Sequence, residues 1–123
     1  MHTPEISIII PVLNSPLVAE TLAALRQQQF VLDKVEIFVV GLVEQHIIQT
    51  DDKVQFIETS ATVSEARNIG IQASSGKWLV FLDSDCIPIR QWLGWLVTRL
   101  GEGWPVVGGG VAIDGGSFYA TCY

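Results

Sequence analysis

Positive charge is scarce in this chain. Seven lysines and arginines stand against thirteen aspartates and glutamates, for a formal net charge of -6. The isoelectric point lies near 4.6. So acidic a surface repels polyphosphate backbones, which sets nucleic acid aside as a primary partner. By the same argument, any phosphorylated ligand needs a cation at its site. Cysteine is also scarce. Cys86 and Cys122 are the two in the chain; neither lies in a CxxC, and their positions suggest no disulfide framework. A reducing compartment, hence a cytoplasmic location, is expected. Long apolar runs are missing: the stretch Ile6 to Leu13 is too short to cross a bilayer, and no other segment is longer and comparably apolar. Met1 to Glu5 lack the basic start of a signal peptide. There is no GxSxG, no Walker A and no GxGxxG after the first apolar run, which excludes a serine-type hydrolase, a P-loop nucleotidase and a conventional dinucleotide enzyme.

What is present is the composition of a folded domain. Hydrophobic residues make up 49% of the 123 and charged residues 16%, enough apolar surface for one buried core. A single domain over 1–123 is expected. The β-branched run Ile6 to Ile10 reads as a strand buried on both faces and stopped by Pro11. Ser15-Pro16 reads as an N-cap and first helical position, followed by Val18, Leu22 and Leu25 at helical spacing. Val35 to Val40 is a second strand ending at Gly41, and Val54 to Ile57 a third. Thr62-Val63-Ser64-Glu65 is a capping-box pattern. Its helix directs Ala66, Ile69, Gly70 and Ala73 to the core and ends near Gly76. Trp78 to Leu82 is a fourth buried strand. Ile89, Trp92, Leu93, Leu96 and Leu100 form one helical stripe closed by Gly101. Val106-Val107 and Val111 to Ile113 read as a fifth strand. Strands alternating with helices predict an α/β fold with a mainly parallel sheet flanked by helices. Ligands of such folds sit beyond the carboxyl ends of the strands. Asn14, Gly41 to Glu44 and Asp83 to Asp85 fall at those ends.

Asp83-Ser84-Asp85 carries the most chemistry. In extended backbone, positions i and i+2 face the same way, so both carboxylates are expected on one side. Such a pair attracts a hard cation, Mg2+ or Mn2+. The alternative is a polar turn capped by two aspartates. Arg67, on the preceding helix, has a donor fork suited to a phosphate or a base carbonyl. The alternative is a surface arginine paired with Glu65 or a nearby carboxylate. Asn14 either binds ligand or satisfies backbone groups in its turn. Cys86 reads as a small packing residue rather than a soft-metal ligand. His2 and His46 have no partner at metal or catalytic spacing. Asp51-Asp52 reads as a solvated loop. Trp92, Trp95 and Trp104 read as core or domain-contact residues rather than a sugar platform, with Trp95 the one expected to be exposed.

Taken in order, ISIIIPVLN at Ile6 to Asn14, ARNIG at Ala66 to Gly70, SGK at Ser75 to Lys77 and FLDSD at Phe81 to Asp85 resemble the family 2 glycosyltransferases of the GT-A fold. The resemblance runs from about Ile6 to Ile113. It implies a Rossmann-like, mainly parallel sheet, here truncated after the fifth strand, and inverting transfer of a sugar from a nucleoside-diphosphate donor to a sugar acceptor. It implies that Pro11, Val12, Leu13 and Asn14 line the nucleoside pocket and that Arg67 contacts base or phosphate. By the same resemblance, Asp83 and Asp85, with Ser84 between them, meet the ribose and the metal. Two features depart from the pattern. Val40-Gly41-Leu42-Val43-Glu44 lacks the aspartates that grip the base in the family; Glu44, at a shifted position, is a candidate substitute. No residue matches the catalytic base; Asp114 is a remote candidate, and the acceptor part is expected to be absent from this chain. The rival readings are a nucleotide- or partner-binding module without turnover and a purely structural domain. An incomplete sheet edge also leads us to expect self-association.

Overall fold

A computed structural model describes residues 4–30, 32–44, 47–108, 111–113 and 120–122. The elements run β1 (Ile6–Leu13), α1 (Val18–Arg26), β2 (Val35–Leu42), β3 (Val54–Glu58), α2 (Val63–Ala73), β4 (Trp78–Phe81), β5 (Cys86–Pro88), α3 (Trp92–Gly101), β6 (Val111–Ile113) and β7 (Ala120–Cys122). They divide into two compact units. One holds Met1–Ala19 and Val31–Ser84; the other holds Glu20–Phe30 and Asp85–Tyr123.

The first unit is a four-stranded sheet in the order β3-β2-β1-β4, with every pairing parallel. β1 lies inside it and is buried over its first seven residues. Its apolar side chains alternate between two faces. Ile9, with Phe38 and Val40 of β2, lies on the face that α2 covers. Phe38, Val40 and Ala66 form a buried cluster there, with Ile57 and Ile69 packed against it. Ile8, Ile10, Ile37 and Val39 occupy the opposite face and are buried as well. Ala73, expected in the core, is exposed at the last turn of α2.

Pro11 does not stop β1; the strand continues to Leu13. The hydrogen-bond directions explain this. The Ile9 carbonyl accepts from Leu82 N on the β4 side, while Asn14 N donates to the Leu42 carbonyl on the β2 side. Odd-numbered backbone groups of β1 therefore face β4. β4 pairs no further than Ile9. The N–H that proline lacks would point where no strand partner remains, so the ladder loses nothing.

The amino ends of the strands are tied by a polar knot. The Ser7 hydroxyl, fully buried, donates to Glu36 Oε1 at 2.9 Å and accepts from Gly76 N at 2.8 Å. Ser75 N and the Ser75 hydroxyl also donate to the Glu36 carboxylate, at 2.7 and 3.0 Å. A Cβ on Gly76 would sit 2.5 Å from Ser7 Oγ and 2.6 Å from Ser7 N, so the site requires glycine. Gly76 therefore serves close approach; α2 itself is closed by Ser74, whose N–H donates to the Ile71 carbonyl.

In the second unit, Gln28 is the buried polar anchor. Its Nε2 donates to the Ile89 carbonyl at 2.7 Å and its Oε1 accepts from Leu93 N at 2.9 Å. The Thr21 hydroxyl donates to the Cys86 carbonyl at 2.9 Å. These bonds hold α1 against the β5–α3 connection without leaving a buried side-chain polar atom unpaired among the described residues. β5, β7 and β6 make a separate mixed sheet, with β5 parallel and β6 antiparallel to β7. Of the fifth strand expected over Val106-Val107 and Val111 to Ile113, Val111–Ile113 is a strand, while Val106 and Val107 lie in irregular backbone. β5, three residues long, carries too short a pattern to be legible. Cys86 corrects a further expectation, because it is disulfide-bonded.

Candidate functional site

The carboxyl ends of β1 to β4 form one rim of the first unit. Asn14 leaves β1 in the left-handed region, φ 53°, which asparagine tolerates better than most residues. Its turn role is thus met by backbone geometry. Of its neighbours, Pro11 and Val12 are buried, while Leu13 is exposed. Only Leu13 and Asn14 present side chains at the rim.

At the end of β2, Gly41 has φ 144°, and a Cβ there would stand 1.8 Å from the Val12 carbonyl oxygen. Asn14 N donates to the Leu42 carbonyl, and Thr59 N donates to the Gly41 carbonyl at 3.0 Å. The stretch is pinned from both sides, and Leu42, Val43 and Glu44 follow with no aspartate. Register places Glu58, the last residue of β3, opposite Gly41. That exposed carboxylate stands at the same rim one strand beyond the β2 turn, outside the motif's spacing.

α2 starts at this rim. Thr62 Oγ1 accepts from Glu65 N at 3.2 Å, as the capping pattern predicts, and its hydroxyl also donates to Glu65 Oε1 at 3.0 Å. One turn in, Arg67 Nη2 lies 3.4 Å from Asp83 Oδ1, with the two side chains 39% and 69% exposed. The arginine's carboxylate partner is Asp83, not Glu65. β4 ends at Phe81, and Ser84 and Asp85 lie in a turn before β5. The extended-backbone argument for the two aspartates therefore does not hold; a turn sets their directions instead. Both are exposed. Asp83 and Ser84 close the first unit and Asp85 opens the second.

Other candidates resolve more simply. Asp51 Oδ1 accepts from Lys53 N and Val54 N at 2.8 and 2.9 Å, a turn that launches β3. Ser75-Gly76 belongs to the knot at the opposite, amino rim. His2, His46 and Asp114 lie outside the described residues. No cluster of three or more His, Cys, Asp or Glu able to hold a metal occurs among the described residues. No helix there is long and apolar enough to cross a membrane.

The mainly parallel sheet with flanking helices is the GT-A fold, as its likeness to solved structures shows. PcManGT, a mannosyltransferase from Pyrobaculum calidifontis solved with GDP-Man and Mn2+, aligns with 92% of this chain and 36% of its own, at 23% identity and a TM-score of 0.66. S. aureus TarS 1-349 aligns with 80% of this chain and 32% of its own, at 21% identity and a TM-score of 0.65. TarS has also been solved with UDP and with UDP-GlcNAc.

Residues 7–121 match glycosyl transferase family 2, and the chain belongs to that family. Glycosyltransferase AglE of Haloferax volcanii is 37% identical over 120 residues, covering 88% of this chain. The chain spans about 40% of the length of that relative.

Proposed function

We propose that this chain is the donor-binding part of a glycosyltransferase that takes its sugar from a nucleoside diphosphate. The observation that carries the reading is the Arg67–Asp83 pair at the carboxyl rim, directly before Asp85. Arg67 brings a donor fork to a position where a diphosphate would lie, and Asp83 orients it. Leu13 and Asn14 would border the nucleoside, with the buried Pro11 and Val12 fixing their backbone. In inverting transfer the acceptor hydroxyl attacks the anomeric carbon, the bond to the diphosphate oxygen breaks, and a base takes the hydroxyl proton.

The residues fit a hard divalent cation, Mg2+ or Mn2+. Asp83 and Asp85 offer exposed carboxylate oxygens. The neighbouring sulfur of Cys86 is committed to a disulfide and supplies no soft ligand. With two carboxylates and no third protein ligand nearby in sequence, the donor's phosphates and water would complete the shell, as is common for Mg2+. When bound, such a cation neutralises charge building on the leaving diphosphate. The cytoplasmic location expected from the scarcity of cysteine loses its support, because a disulfide suits an oxidising compartment.

The second reading is a module that binds nucleotide without turnover. The close packing of Gly41 on Val12, followed by a turn without aspartate, favours it. Titrating UDP and GDP calorimetrically with and without Mn2+ tests both. Binding is expected to require metal and to weaken at least tenfold in Asp85→Ala. Nucleotide binding that ignores both metal and Asp85 would sink the donor-site reading. Metal-dependent binding with no donor hydrolysis or transfer selects the module.

A further inference from the structure

At the carboxyl rim of the first unit stands an acidic side chain set apart from Arg67 and Asp83. Glu58 ends β3, and register sets it opposite Gly41. The backbone that follows is pinned: Thr59 N donates to the Gly41 carbonyl at 3.0 Å, and Thr59 Oγ1 accepts from Ala61 N at 3.2 Å. The Glu58 side chain is exposed. Ile57 packs on the cluster beneath α2, so Glu58 leaves from the other face of the sheet. A ligand beyond the strand ends meets side chains from both faces. From Gly41 to Val43 the β2 turn has no side chain able to make a hydrogen bond. Leu13, at the tip of β1, is 58% exposed although the strand before it is buried.

We infer that Glu58 reads the base of the donor nucleotide and selects guanine, an assignment that rests on the donor site proposed above. With phosphates held by Arg67 at the β4 end, the nucleoside extends along the rim past β1 and β2 toward β3. Three strand spacings separate β4 from β3, about 14 Å, close to the length of an extended nucleoside diphosphate from its terminal phosphate to the far edge of its base. Leu13 lies on that path, an apolar seat for the flat of a base. The edge of the base then meets Glu58. A carboxylate only accepts hydrogen bonds. Guanine alone among the common bases offers two donors side by side, N1–H and the N2 amino group, and two carboxylate oxygens match them. Paired bonds to a charged group are the strong kind. Uracil has one N–H between two carbonyl oxygens, so the second carboxylate oxygen meets an acceptor. Adenine and cytosine set an amino group beside a bare ring nitrogen, again an acceptor. A site built for two donors rejects a base that lacks one of them.

The test is calorimetry on the full 123-residue chain with Mn2+ and the nucleotides GDP, IDP, UDP and ADP. IDP is GDP without the N2 amino group. GDP should bind about tenfold or more tighter than UDP and ADP, and about tenfold tighter than IDP. Glu58→Gln should weaken GDP by about tenfold or more and change UDP by less than about threefold, which collapses the preference. Glu58→Asp should keep GDP ahead of UDP. Because the side chain is exposed, the urea midpoint of Glu58→Gln should match that of the parent chain, which separates base reading from a structural role. UDP bound as tightly as GDP, with metal and Asp85 both required, overturns the inference and leaves the donor site standing. A preference for GDP that survives Glu58→Gln, or that falls instead with Glu44→Gln, also overturns it. No binding of any nucleotide with Mn2+ overturns the donor site and the base assignment together.

Discussion

Arg67 has an observed ion pair and a proposed ligand role, and substitution separates the two. Its ion pair with Asp83 is more than a third exposed on both sides, so water screens it. Surface pairs of this sort contribute about 0–1 kcal/mol. Arg67→Ala should therefore leave the urea midpoint almost unmoved while weakening nucleotide binding about tenfold or more by calorimetry. A comparable loss of stability would mean that the side chain is structural. Gly41 is the reverse case. Any side chain there combines a disfavoured φ with a Cβ driven into the Val12 carbonyl. Gly41→Ala should cost more than about 2 kcal/mol in chemical denaturation, without any contact to ligand being removed. An aspartate cannot be restored at this position; one introduced to improve base binding belongs at Leu42 or beyond.

Among the elements, the parallel sheet and its helices were legible because β1 and β2 are apolar on both faces and each helix has one stripe, although β4, read as buried, leaves Leu79 and Phe81 exposed. Capping at Thr62 was legible because its two hydrogen bonds use residues three apart. Long-range devices were not. The knot of Ser7, Glu36, Ser75 and Gly76 joins positions up to 69 residues apart, and nothing in a local pattern announces it. SGK therefore belongs to the motif set for a structural reason, at the amino rim of the sheet. The rim residues Arg67 and Asp83 were named from sequence, but their partnership was found only in the fold. Ser7→Ala would strand the Gly76 N–H and remove one ligand of Glu36. An unsatisfied buried donor costs about 1–3 kcal/mol. The expected result is that loss in urea unfolding, with nucleotide affinity unchanged, because the knot lies at the far end of the sheet.

Across the whole molecule, the two units draw on different sources of stability. The first rests on a double-faced apolar sheet. The second has short strands, the buried Gln28 network and a disulfide at Cys86. Disulfides in small units typically contribute about 2–4 kcal/mol. Three of the four tryptophans, Trp92, Trp95 and Trp104, lie in the second unit, so fluorescence reports mainly on it. Adding dithiothreitol should shift the fluorescence-detected unfolding to lower denaturant by about that amount. An unchanged transition would show that the bond does not support the fold.

The strand order has a consequence for synthesis on the ribosome. β2 reaches β1 early, but β4 is completed roughly 40 residues later. At about 5–20 residues per second, one side of β1 stays bare for about 2–8 s. A bare apolar strand is a template for a neighbouring nascent chain. Pro11 offers no N–H on that very side. That residue lies just past Ile9, the last position that β4 pairs, so a strand added along this edge finds one donor fewer both before and after β4 arrives.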